Sequence, residues 1–232
     1  FMFFPYFIAG VFLATIYKIF VTFSNVMYFA DLFGAAMGAL VAVFLLNLVG
    51  PIRGILLVST LASVASLFFA LASRRKAITF IALTGIILAA VFSQYSNYAY
   101  SFDIQPMSDQ GKELSDILAD RTLRARIIDS RWSAFGRTDL VELESDPHTK
   151  VIFVDGGAQT RMFHFDGNFN SSIGEVPFVK NTTQYFPYYF VSKRESLIIG
   201  PGGGLDVLTS LMSGMNHTTA VEVNPDIVGI VR

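Results

Sequence analysis

The residues best suited to chemistry lie near the C-terminal end of the sequence. An apolar run from Ser196 to Ile199 meets Gly200, Pro201, Gly202, Gly203 and Gly204, then passes into a helical pattern that begins at Asp206. Glycines let a backbone turn sharply and approach a ligand without Cβ clashes. A helix starting just after them presents N–H groups that no helical carbonyl satisfies. Glu222 follows Gly202 by 20 positions (222 − 202), at the end of the next apolar run. In nucleotide-binding folds a carboxylate at about that distance accepts hydrogen bonds from ribose hydroxyls. The chemistry expected is therefore nucleotide binding, with Gly200, Gly202, Gly203, Gly204, Asp206 and Glu222 as candidate cofactor-binding residues. The dinucleotide fingerprint needs a small residue where Leu205 stands, so a looser glycine turn fits better.

The elements that must position these residues can be read around them. A strand ending at Ile199, a helix over 206–215 and a strand over 217–223 make the opening of a βαβ unit. Upstream, strands are expected over 138–143, 150–154 and 158–165. Asp155-Gly156 between the last two accepts the positive φ angles of a tight hairpin turn, and Asp166-Gly167 marks the next turn. That pattern predicts a small antiparallel unit over 130–195, followed by a nucleotide-binding unit over 196–232. Residues 112–128 read as a short amphipathic helix leading into a strand, behind a polar linker that starts near Ser96 and contains Pro106, so 96–129 forms the connection.

Composition divides the chain more sharply. Of its 232 residues 53% are hydrophobic and 15% charged, and the mean hydropathy is +0.52. Nearly all of the apolar excess precedes residue 96 and nearly all of the charge follows residue 100. Four apolar stretches, 2–23, 28–49, 54–73 and 77–95, approach the ~20 residues a helix needs to cross a bilayer core. Residues 1–95 are therefore expected to be transmembrane, with the lipid bilayer as partner. Gly34 and Gly38 in the second stretch have the spacing that lets helices approach closely in lipid, and a second copy of the chain is one partner such a stripe could meet. Asp31 is read as an interfacial or helix-capping acid. A net charge of −1 gives no reason to expect a nucleic-acid partner, and the absence of cysteine removes disulfides and thiolate chemistry. The chain starts at Phe1 without a basic leader, and it is expected to be a segment of a longer protein with no cleaved signal peptide.

Three blocks resemble the spermidine synthase-like family, and the apolar stretches fused ahead of them look like its membrane-bound branch. They are residues 130–142 (SRWSAFGRTDLVE), 154–159 (VDGGAQ) and 197–208 (LIIGPGGGLDVL), the last continued by 220–228 (AVEVNPDIV). The resemblance implies a β unit followed by a Rossmann-like adenosylmethionine-dependent methyltransferase fold. It implies transfer of an aminopropyl group from decarboxylated S-adenosylmethionine to a small amine such as putrescine, with no metal. Asp206 would then lie near the amino-acid tail and Glu222 would hold the ribose. Gln159, from the hairpin block, and Tyr189, in the aromatic stretch Phe186-Pro187-Tyr188-Tyr189, become candidate substrate-binding residues. The catalytic acid of the family comes from a later strand, about the fourth, that these residues do not include. Soluble members of the family carry Tyr-Gln where Trp132-Ser133 stands, and a Gly-Gly-Gly-Asp-Gly-Gly turn where Gly200–Leu205 stands.

Two other functions fit the same residues. One is S-adenosylmethionine-dependent methyl transfer onto a membrane substrate. The other is a non-enzymatic transporter or sensor with a degenerate nucleotide domain. The expected location is a bacterial inner membrane, crossed several times, with the polar half in the cytoplasm, where adenosyl nucleotides are kept. The charges of Lys18 and Arg74-Arg75-Lys76 point the other way, because they fall on the face opposite the polar half.

Overall fold

The computed structural model describes residues 3–74, 76–99, 112–168 and 176–232. Most of the polar linker, Arg75 and the outermost N-terminal residues fall outside them.

The N-terminal half is helical. α1 (Phe3–Ile19) ends in a 3-10 turn (Val21–Phe23), and α2 (Ser24–Ser73) follows without a gap. α2 is bent into two arms at Gly50, whose φ of 74° and ψ of 174° leave the helical region. Only glycine takes that conformation cheaply, and Pro51 beside it has no N–H to continue the ladder. By length and composition two helices can cross a bilayer core, Val21–Pro51 and Arg53–Ala72. Tyr6–Ile19 and Lys76–Phe92 are shorter apolar helices among the described residues. The second arm packs on α3 (Lys76–Ala99) through small residues: Ala70, Ala82 and Ala89 are buried, and a side chain on Gly85 would meet Ser63 Oγ at 2.8 Å. Small residues let helix backbones come close.

Two expectations about these helices change. Gly34 and Gly38 have nothing within 4 Å of where a Cβ would stand, so helix packing within the chain uses a different set of small residues. Asp31 lies seven positions inside α2 (31 − 24), which removes it from the capping position. The outward surface of the first arm is largely apolar, with Phe29, Leu40, Phe44 and Leu48 exposed beside the polar Asp31 and Asn47.

The polar half begins with α4 (Glu113–Ala119), then a four-stranded antiparallel meander in the order β1 (Ala125–Ser133), β2 (Gly136–Leu143), β3 (Asp146–Val154) and β4 (Ala158–Phe163). The expected antiparallel unit is present, and its first strand starts five residues before the boundary drawn at 130 (130 − 125). Asp155 and Gly156 take φ of 50° and 69°, and Gly157 N–H donates to Val154 O at 3.2 Å, which closes the predicted tight turn.

The meander is covered on both faces. Leu114 of α4 packs with Val141, Val151 and Phe153 on one face. On the other, Leu140 and Ile152 pack against Ile227 of α6 (Pro225–Val231). Asn224 makes that second contact specific. It is buried, its Oδ1 caps α6 by accepting from Asp226 N–H at 3.0 Å, and its Nδ2 donates to Thr138 Oγ1 at 3.2 Å. Burying an amide requires that its polar atoms be paired, and here a helix cap and a strand hydroxyl pair them.

β5 (Glu195–Ile199), α5 (Leu205–Met212) and β6 (His217–Val221) form the βαβ unit read from the sequence, with β5 and β6 parallel. Three hydroxyls tie it together: Ser196 Oγ lies 2.6 Å from Ser210 Oγ and 3.1 Å from Thr218 Oγ1. Two strands and two helices are less than the complete nucleotide-binding sheet that the resemblance implies. Two 3-10 turns (Val176–Asn181 and Thr183–Tyr189) pack Val179 and Tyr185 against Leu205 and Met212 of α5.

Candidate functional site

The glycine turn between β5 and α5 is the centre of the candidate site. Gly200, Gly202 and Gly204 have φ of 70°, 53° and 93°, conformations that L residues with a Cβ rarely adopt. Gly203 is buried for a different reason. A Cβ on it would lie 2.9 Å from Met162 N and would overlap the carbonyl of Arg161. The turn is thus pressed against the backbone of β4, and Gly203 is the point of contact. Its N–H donates to Thr160 Oγ1 at 2.9 Å.

Glu222 stands at the end of β6, beside the turn. Its Oε2 accepts from Gly202 N–H at 3.2 Å and its Oε1 from Asn224 N–H at 2.9 Å. The predicted pairing of the glycine turn with an acid 20 residues on is therefore a direct contact. An ionised carboxylate offers about four lone-pair sites. Two are used by backbone donors, which hold the group in one orientation and leave the others for a ligand.

A cavity of about 830 Å³ opens where the turn, β6 and α6 face the second face of the meander. Gly202, Gly203, Gly204 and Glu222 line one wall; His148, Lys150, Met162 and His164, from β3 and the end of β4, line the other. Register explains the second wall. Lys150 pairs with Met162 and Ile152 with Thr160, so these residues share the face on which Thr160 meets Gly203. The His148 and His164 rings are 6.2 Å apart, and His164 N–H donates to His148 O at 2.8 Å. Behind Lys150, the hydrogen bond from Arg126 holds the Glu142 carboxyl below its usual range, and the charges of Arg126 and Lys150 act in the same direction.

Of the candidate residues, the structure brings Gly202, Gly203, Gly204 and Glu222 together around this cavity, with Gly200 at the start of the same turn. Asp206 is half-buried in the first turn of α5 and outside the lining. Gln159 pairs in register with Phe153, on the opposite face of the meander from Thr160, and is exposed. Tyr189 is exposed and packs edge-on against Tyr185 at 5.2 Å, also away from the cavity. Sequence reasoning missed Thr160, Asn224, His148 and Lys150. The signal for Thr160 lay in the hairpin: a turn at Asp155-Gly156 with strict alternation puts Thr160, Met162 and His164 on one face.

Thr160→Val keeps the shape of the side chain and removes the acceptor for Gly203 N–H. Loss of one such bond is expected to cost about 1 kcal/mol. The check is the urea midpoint of the detergent-solubilised protein, followed by the fluorescence of Trp132; an unchanged midpoint would show that the bond contributes nothing.

No protein-family model matches this chain, and no curated protein or solved structure matches it significantly.

Proposed function

We propose that this chain is a membrane-anchored transferase that binds an adenosyl sulfonium nucleotide, S-adenosylmethionine or its decarboxylated form. In the first reading it passes the aminopropyl group to a small amine such as putrescine, as spermidine synthase-like enzymes do. The observation that carries the nucleotide part is Glu222, held by two backbone N–H groups at the glycine turn and facing the cavity with spare acceptor capacity. The cavity volume lies within the usual range for small-molecule sites. The βαβ order of β5, α5 and β6 supports a Rossmann-like fold for this unit. The membrane part rests on the two long apolar helices and their exposed aromatic and aliphatic surface.

In this reading the glycine turn admits the nucleotide close to the backbone, and Glu222 accepts from the ribose hydroxyls. The amine nitrogen attacks the carbon beside the sulfonium. The new C–N bond forms as the C–S bond breaks, the electron pair passes to sulfur, and the amine loses a proton. The products are the aminopropylated amine and methylthioadenosine. Met162 and the β4 wall close one side of the cavity.

One observation favours a second reading. Gln159 and Tyr189, the candidate amine-binding residues, stand away from the cavity. Methyl transfer from S-adenosylmethionine onto a membrane substrate needs neither of them. The two readings leave different products, methylthioadenosine for the first and S-adenosylhomocysteine for the second.

The test is calorimetry on the bilayer-reconstituted protein with S-adenosylmethionine, its decarboxylated form and methylthioadenosine. Saturable heat is expected with at least one of them. Absence of heat with all three would overturn both readings, and product analysis with the ligand that binds decides between them.

A further inference from the structure

The β1–β2 hairpin ends in the turn Ala134-Phe135, and this turn meets the helical half. Ala134 N–H donates to Asn47 Oδ1 at 2.8 Å. Asn47 lies inside the apolar helix Val21–Pro51, just before the bend at Gly50. Its neighbours on the helix include exposed Phe44 and Leu48. Phe135 at the tip is 46% exposed and Trp132 beside it is 37% exposed. Neither belongs to a core cluster of the polar half. Trp132 pairs in register with Arg137, whose guanidinium carbon sits 5.8 Å from the centre of the indole ring.

One face of the ring is therefore covered by a cation. The Arg137 head is itself directed, since Nε donates to Asp139 Oδ1 at 2.8 Å and Nη2 to Ser130 Oγ at 3.1 Å. An indole and a phenyl ring at the end of an apolar helix match the chemistry of a membrane interface, where aromatic rings sit at headgroup level. The occupant is set by position: Asn47, which receives the tip, lies four positions before the end of the apolar helix Val21–Pro51 (51 − 47), beside exposed Phe44 and Leu48.

We infer that the tip of the β1–β2 hairpin is a lipid anchor, in which Trp132 and Phe135 enter the headgroup region of the bilayer while Arg137 stays paired with buried Asp139 beside the indole. This rests on the membrane part of the proposed function and is independent of the nucleotide part. The anchor would hold the meander, and the cavity on its second face, at a constant height above the lipid.

The chain contains a single tryptophan, which makes the test direct. The protein is reconstituted in vesicles whose phosphatidylcholine carries bromine either near the headgroup end or near the terminal end of the acyl chains. Trp132→Phe, reconstituted in the same way, supplies the background. The expected result is loss of Trp132 emission with the shallow-brominated lipid, less loss with the deep-brominated one, and weak quenching by aqueous acrylamide. Emission that responds to acrylamide and to neither lipid, in protein that floats with the vesicles, would overturn the anchor and leave the membrane reading intact. Protein that fails to float with the vesicles would overturn both.

Discussion

Gly203→Ala is expected to lower the stability of the polar half by about 3 kcal/mol, the upper end of the usual cost of overpacking. The reason is that the clash falls on backbone. A methyl at position 203 would lie 2.9 Å from Met162 N and closer still to the Arg161 carbonyl, so no side-chain rotation relieves it. Either β4 moves away from the glycine turn or the turn opens. Both outcomes separate Gly203 N–H from Thr160 Oγ1 and shift the wall of the cavity. Gly202→Ala would meet Thr160 Oγ1 at 2.7 Å and also force a φ of 53° on alanine, which costs roughly 1–2 kcal/mol by itself. Gly157→Ala is the control. That glycine has open space around it, and a change within about 0.5 kcal/mol is expected. Urea unfolding of the three variants, read by Trp132 fluorescence, makes the comparison. A Gly203→Ala midpoint equal to that of Gly157→Ala would mean that the turn is not pressed on β4 as described.

Glu222→Ala is expected to weaken binding of the adenosyl ligands by about 10- to 150-fold, corresponding to the 1.5–3 kcal/mol of hydrogen bonds to a charged group. The carboxylate is oriented before the ligand arrives, because Gly202 and Asn224 N–H groups already hold it. A preoriented acceptor loses little conformational entropy on binding, so its hydrogen bonds to a ligand are not offset by a cost of ordering. Glu222→Gln should fall between the two, since it keeps one acceptor oxygen and loses the charge. Free adenine, which has no ribose, is the internal control and should bind both variants as it binds the wild type. The measurement is the calorimetric Kd for methylthioadenosine. An unchanged Kd in Glu222→Ala would remove the ribose role from this residue and with it the main support for the nucleotide reading.

The parts of the site legible in the sequence are those governed by local rules. Gly200, Gly202 and Gly204 take positive φ angles that their residue type allows. Glu222 meets Gly202 because a strand, a turn and a helix of standard length bring positions 20 apart side by side. Asp155-Gly156 makes its hairpin for the same local reason. Contacts between distant segments were not legible. Asn224 meets Thr138 across 86 positions and Gly203 meets Thr160 across 43. No periodicity in either segment names its partner. Gln159 illustrates the limit well: alternation puts it on the face opposite Thr160, yet which face carries the cavity depends on where the glycine turn and α6 come to pack.

The sequence by itself determined that the first half would be apolar helix and the second half an antiparallel unit followed by a βαβ unit. Apolar runs, glycine turns and two-residue alternation act through neighbouring residues, and neighbours are written in order. Only the tertiary structure decided what covers each face of the meander, α4 on one side and α6 on the other. It also decided that Gly203 serves the contact between turn and strand, and that Asn47 receives the tip of the first hairpin. Alternation announces that a strand has two faces, but burial on both is a property of the elements that come to lie against them.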